Sequence, residues 1–268
     1  MIGGHWTTEL VPFGEELDMA KKTLLWICLL FLVLATSASQ LKAEELYKAM
    51  MVRAAPGKLL DFIQLYKGHM TFYDDAGDAR PFWMRHSQGD QWDILFLFPM
   101  GSFSEYYSPQ RVQKRTDAFK KRGMSGKDFE RKFYQLVAWH EEVFVNGSPL
   151  AQLRQAFEGA GYFHVEMFLS LPGQQEKLYQ QREMENVYLK ELGRPQNLIF
   201  THSQGAAWDL FTLGFYRDLK HFAESADIPE DKEDAAARKA GFEKAAAISP
   251  YLRTLIAQHH DTLATAIR

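Results

Sequence analysis

The stretch HSQGDQWD at residues 86–93 returns as HSQGAAWD at residues 202–209, with six of its eight letters unchanged. Sliding the chain on itself by the intervening 116 residues aligns far more than the octapeptide. Pro56-Gly57 falls on Pro172-Gly173, Met51 on Met167, Gln64 on Gln180, Gly77 on Gly193 and Leu97 on Leu213. From Tyr47 to Tyr107 the ungapped overlay holds 12 identities in 61 positions, half of them inside the octapeptide. Further on the offset becomes 119, which lays LVAWHEEVF (136–144) over LIAQHHDTL (255–263) and His140 over His259. The added length falls in a polar connection, where insertions are tolerated. A period this long excludes a solenoid. The chain therefore reads as two domain-sized units, 44–147 and 161–268, joined by a linking helix over 148–160.

The front end reads as separate from the fold. From Met19, Lys21 and Lys22 precede an apolar run, Leu24 to Leu34, and then the small residues Ala35-Thr36-Ser37-Ala38. This is the three-part layout of a secretory signal peptide, with cleavage expected near Ala38. The run is too short for a membrane-spanning helix, which needs about 20 apolar residues. Residues 1–18 carry four acidic residues, a poor start for such a signal. Gly14-Glu15-Glu16 requires purine-rich codons just upstream of the Met19 codon, the pattern of a bacterial ribosome-binding site. The expectation is translation from Met19, a leader that is not translated, and a periplasmic or secreted bacterial protein.

Removing residues 1–38 leaves 29 of the 31 basic and 30 of the 34 acidic residues. Near-neutral charge argues against nucleic acid as partner. The one cysteine, Cys28, leaves with the signal, so the mature chain has no disulfide, thiolate metal site or cysteine nucleophile. No metal site is expected, and the partner expected is a small molecule.

Each unit opens with an apolar stretch, LYKAMMVRA (46–54) or YFHVEMFLSL (162–171), read as a strand. Pro-Gly then starts a helix, with proline in its first turn. The helices run to about Tyr73 and Leu192, with Gly77 and Gly193 beyond their ends. PFWMRH with WDILFLF, and NLIFTH with WDLFTLGF, form two hairpins. Ser102 and Glu105 have capping-box spacing. The charged segments at 108–123 and 227–241 read as solvated connections. A long helix follows, KDFERKFYQLVAWHEEVFV (127–145), whose Phe129, Phe133, Leu136, Val137, His140, Val143 and Phe144 keep helical spacing. Leu252, Leu255, Ile256, His259, Leu263 and Ile267 do the same in the second unit.

The order β-α-β-β-α, with a short fourth strand left open, resembles the ferredoxin-like unit of the dimeric α/β-barrel superfamily. The resemblance is one of topology and covers most of the mature chain. It implies an α+β fold with antiparallel sheets covered by helices, two units packing as an intramolecular barrel, and a monomeric pseudo-dimer or a homodimer. Two separate α+β domains side by side fit the same pattern.

His-Ser-Gln-Gly suits a tight turn with glycine at positive φ. Two registers are open. One pairs His86 with Asp90 and Met84 with Trp92; the other has a Gln88-Gly89 loop that brings His86 and Asp93 to one side. A turn explains the glycine but not the repeated histidine, tryptophan and aspartate. The functional reading takes His86 and His202 as acid/base groups, oriented by Asp93 and Asp209. Trp92 and Trp208 then wall a ligand pocket in each unit, with His140 and His259 reaching in from the long helices. The chemistry expected from these residues is acid/base, and the resemblance implies cofactor-independent or oxygenase-type chemistry. The family resemblance implies a second reading, in which His140 or His259 is the axial ligand of a haem. In a third, a non-catalytic envelope protein, the octapeptides only shape hairpins.

Overall fold

A computed structural model describes residues 44–267, so the expectations for residues 1–38 lie outside the described part. The first strand, β1 (Glu45–Ala54), runs into a turn in which Lys58 N–H donates to Ala55 C=O at 2.8 Å and Gly57 has φ 75°. Proline followed by glycine at positive φ is the type II turn signature. Helix α1 (Leu59–Ala76) starts only afterwards, so Pro56 stands before the helix and not in its first turn. Residues 171–174 repeat this turn, with Gly173 at φ 76°. Gly77, at φ 70°, closes α1 as expected, and Asp78 N–H reaches Tyr73 C=O at 2.8 Å.

Strands β2 (Phe82–Gln88) and β3 (Ile94–Gly101) follow, then a short helix, Phe103–Tyr106, capped by the Ser102 hydroxyl. The first charged segment is not a solvated connection. It forms helix α2 (Pro109–Lys121), whose Arg111 and Arg115 both bind the buried carboxylate of Asp78. Helix α3 (Gly126–Leu136) opens on a capping box between Ser125 and Asp128.

The expected long helix ends here. Leu136 closes α3, and strand β4 (Val137–Gly147) starts at the next residue, so the fourth strand is 11 residues long. In the second half β8 (Ile256–Ala266) likewise replaces the expected helix, preceded only by the short helix Ile248–Arg253. His140 and His259 are therefore strand residues. In β4, one face meets the barrel interior and the other the helices, so apolar residues fall on both. The two-residue alternation is blurred, and chance i, i+3 and i+4 spacings remain.

Between the halves lies helix α4 (Leu150–Phe157), the expected link. The second half continues with β5 (Tyr162–Ser170), α5 (Gln175–Glu191), β6 (Leu198–Gly205) and β7 (Leu210–Tyr216). The second charged segment is again helical, α6 (Glu230–Lys239), with Ala236 and Ala237 buried.

All eight strands close one antiparallel barrel in the order β1-β3-β2-β8-β5-β7-β6-β4. The fold is α+β, an antiparallel sheet covered by helices, and the two halves are not side-by-side domains. They share the sheet: β2 pairs with β8, and β4 with β6. Inward residues such as Tyr47, Ala49, Met51, Phe163, Val165 and Met167 fill the barrel. Outward residues such as Met50 and Val52 meet α1 and α3. Helix α4 stoppers one end: Leu153 is fully buried, and the Phe157 ring lies 4.7 Å from Phe82, 5.0 Å from Phe163 and 5.2 Å from Phe215.

Candidate functional site

The octapeptides lie where the halves join. Neither expected register occurs. His86 N–H donates to Asp93 C=O at 2.8 Å, and His202 N–H to Asp209 C=O at 2.9 Å, so residues 87–92 and 203–208 form the loops. β2 leaves its own hairpin after Arg85 and continues onto β8, bulging between His86 and Gln88. β6 does the same on β4, with Gly205 opposite Val143. Gly89 and Gly205 take φ 111° and 113°. A Cβ on Gly89 would stand 2.2 Å from the Asp261 carbonyl oxygen, and one on Gly205 2.7 Å from that of Glu142. Each glycine thus lets one half's hairpin press against the last strand of the other half.

The aspartates act within their own halves. Asp93 Oδ2 accepts from Ala54 N–H at 2.8 Å, and Asp209 Oδ2 from Ser170 N–H at 2.9 Å and Ser170 Oγ at 2.6 Å. They anchor the ends of β1 and β5, which accounts for an aspartate at the start of a strand. His202 is exposed, whereas His86 is half-buried and edge-on to Trp92 at 5.8 Å.

Trp92 and Trp208 do not wall two pockets. Both line one cavity of about 160 Å³ at the barrel end opposite α4, over Met51 and Met167. Glu141 sits opposite Met51 on β4, and its Oε1 accepts from Trp208 Nε1 at 3.1 Å. At the matching place His260 sits opposite Met167, and its Nδ1 lies 3.0 Å from Asp90 Oδ2. The tandem positions thus carry different chemistry, glutamate on one side and a histidine–aspartate pair on the other. Trp92 is 1% exposed, and its Nε1 has no hydrogen-bond partner among the described residues; buried His86 Nε2 has none either.

A larger cavity, about 390 Å³, lies outside the barrel, between the first half's strands and helices α1, α2 and α3. Its walls include Tyr66, His69, Phe72, Phe119 and Phe129, with His140, Glu142 and Lys48 on the strand side. His140 therefore does face a cavity, but from β4. Its ring meets Phe133 at 5.4 Å and Tyr134 at 5.7 Å. Lys48 Nζ binds Glu142 Oε1 at 2.8 Å. His69 is stacked between Phe129 at 3.9 Å and Phe72 at 4.4 Å. Burial, assisted by the charge of Arg122, pulls its pKa down to about 4, so the imidazole is neutral near pH 7. Burial raises the Tyr66, Tyr73 and Tyr106 hydroxyls, keeping them protonated. His69 escaped sequence reasoning because glutamate, Glu185, stands at its tandem position.

The corresponding layer of the second half is filled by polar groups. Arg182, 3% exposed, donates to Gln181 at 2.7 Å and Glu166 at 3.3 Å, and it also pairs with Glu185. Thr212 Oγ1 donates to Glu166 at 3.0 Å. His259 Nε2 lies 3.3 Å from Glu166 Oε1, with the ring stacked on Phe168 at 4.8 Å. Burial alone would raise the Glu166 pKa. The His259 hydrogen bond and the charges of Arg182, His164 and His259 outweigh it and hold the carboxyl at about 2. His259 is thus engaged with a carboxylate. His140 and His259, the axial ligands of the haem reading, stand on strands and not on helices, and no step is assigned to haem.

Among the described residues, no group of three or more His, Cys, Asp or Glu is placed to hold a metal ion. No helix among them is long and apolar enough to cross a membrane.

No protein-family model matches the sequence, and no curated protein does. Solved structures do match. An anthrone oxidase-like protein superposes with a TM-score of 0.52 at 11% identity, over 84% of this chain and 92% of its own. A mutant chlorite dismutase from Candidatus Nitrospira defluvii gives 0.46 at 10% identity, over 83% and 92%. A heme-binding protein from Thermus thermophilus gives 0.40 at 12%, over 84% and 92%. The first likeness shows a shared fold, an α+β antiparallel barrel covered by helices and closed here within a single chain.

Proposed function

We propose that the protein binds a flat aromatic small molecule in the first half's outer cavity and exchanges a proton with it through His140. The carrying observation is the cavity itself: about 390 Å³, walled by aromatic rings, with imidazole and carboxylate groups on one side. Binding cavities of about 300–1,000 Å³ with apolar walls and a few convergent polar groups are the usual form of small-molecule sites. Rings stack offset or edge-on against such walls. His140 is the acid/base group, Glu142 and Lys48 the polar border, and His69 a neutral wall. The name of the anthrone oxidase-like structure supports anthrone, a three-ring ketone with an acidic methylene, as probe. Acid/base or oxygenase-type chemistry on such a molecule needs that proton removed first.

Titration with anthrone should quench tryptophan fluorescence saturably, and the protein should speed deuterium exchange at the methylene. His140→Phe should keep binding within about threefold and lower exchange at least about tenfold, the lower part of the usual range for general base catalysis. Absence of saturable binding up to the solubility limit would refute the proposal, as would full exchange by the variant. Export through the segment Met19 to Ala38 belongs to the same proposal, and the amino-terminal sequence of protein recovered from a bacterial periplasm tests it.

A further inference from the structure

The geometry points to a second site, for a small organic cation, in the cavity at the open end of the barrel. Three indoles, Trp92, Trp139 and Trp208, line it together with the carboxylates of Asp90 and Glu141. Among the described residues no lysine or arginine lines it, and His260 is the one basic side chain. Indole faces attract cations through their quadrupole, most strongly when desolvated, and aromatic cages recognise quaternary ammonium groups in this way. The volume, about 160 Å³, suits a trimethylammonium group with a short arm.

One detail sharpens the class of ligand. Trp208 is held by its Nε1 bond to Glu141 at 3.1 Å, which sets its ring plane and brings a negative charge to the cage. A carboxylate on the ligand would meet Asp90 and Glu141, so the ligand is an alkylated ammonium ion with no anionic group. The differences between the tandem positions become intelligible: Glu141 against His260, and Asp90 against Ala206, gather both negative groups around one cation.

Choline, betaine, tetramethylammonium and the neutral isostere 3,3-dimethylbutan-1-ol are the probes, with the full chain and the indole N–H resonances as readout. Choline should bind saturably and shift the Trp92, Trp139 and Trp208 signals, and the neutral isostere and betaine should bind at least about tenfold more weakly. Tetramethylammonium, which keeps the charge, should also bind saturably and move the same indole signals. Glu141→Gln keeps an acceptor for Trp208 and removes the charge, so choline affinity should fall about tenfold with the fold intact. Equal binding of choline and its neutral isostere overturns the proposal, as does an unchanged affinity in Glu141→Gln. Indole resonances unmoved by 10 mM choline, roughly the weakest binding worth about 3 kcal/mol, overturn it as well.

Discussion

Replacing Gly89 with alanine should be among the most damaging single-methyl changes in the chain. The backbone there has φ 111°, which residues with a Cβ rarely adopt. Holding alanine in such a region costs about 1–3 kcal/mol. The new methyl would also lie 2.2 Å from the Asp261 carbonyl oxygen and 2.8 Å from Thr262 Cα. Both are backbone atoms of β8, so relief requires moving a strand and not a side-chain tip. Overpacking of this kind adds about 1–3 kcal/mol. The expected loss is about 4 kcal/mol, a large share of the ~5–15 kcal/mol that holds a typical protein folded. Gly205→Ala should cost somewhat less, because its nearest contacts are 2.7 and 2.9 Å. Gly57→Ala and Gly173→Ala are the controls: positive φ again, 75° and 76°, but nothing within 4 Å. They should lose only about 1–2 kcal/mol from conformation. Urea unfolding, followed by far-ultraviolet circular dichroism, ranks the four variants. If Gly89→Ala were no less stable than Gly57→Ala, the octapeptide would not be a close contact between the halves.

His69 should impose a pH dependence. Its pKa is about 4 in the fold against 6.5 in the free side chain, so the unfolded chain takes up the proton first as pH falls. Stability is complete above pH 6.5 and declines by about 3 kcal/mol on the way to pH 4; His69→Phe should flatten that decline in urea midpoints at pH 7 and 4.5. Glu166 acts in a more acidic window, since its pKa is held at about 2 against 4.5. Its contribution is present above pH 4.5 and lost towards pH 2, so the melting-temperature gap between wild type and Glu166→Gln should narrow over that interval. Asp209→Asn should destabilise more than Asp93→Asn, about 2 against 1 kcal/mol, because Asp209 holds both Ser170 N–H and Oγ whereas Asp93 holds Ala54 N–H. Leu153→Ala, within the α4 stopper, should cost about 3 kcal/mol in the same urea assay.

Much of the architecture is written in short signals. The Pro-Gly pairs mark the turns after β1 and β5, Gly77 marks the end of α1, and the octapeptides bound the hairpins. The last strand of each half was not legible. Residues 127–145 hold a helix and a strand with no loop between them, and Val137 passes directly from one to the other. Glu141 points inward among apolar neighbours because it serves a cavity, and that spoils the alternation that would betray a strand. The site was legible only in its residue types. Trp92 and Trp208 are equivalent in sequence, which invites one pocket for each, yet closure of the barrel carries both to one place. His69 and His260 are missed for the opposite reason: the tandem partner of each is a different residue, so the repeat lends them no emphasis.

The strand order has a consequence for how the chain can be cut. Taken alone, the first half would bear β4 and β2 as raw edges and the second half β8 and β6, each seeking a mate that only the other fragment supplies. Unpaired edges of this kind recruit foreign strands and aggregate. Two fragments divided near Pro149 should therefore be insoluble when made singly and soluble when co-expressed. Such mutual rescue makes the protein a natural scaffold for a split reporter, in which the signal depends on the meeting of two otherwise unfoldable pieces.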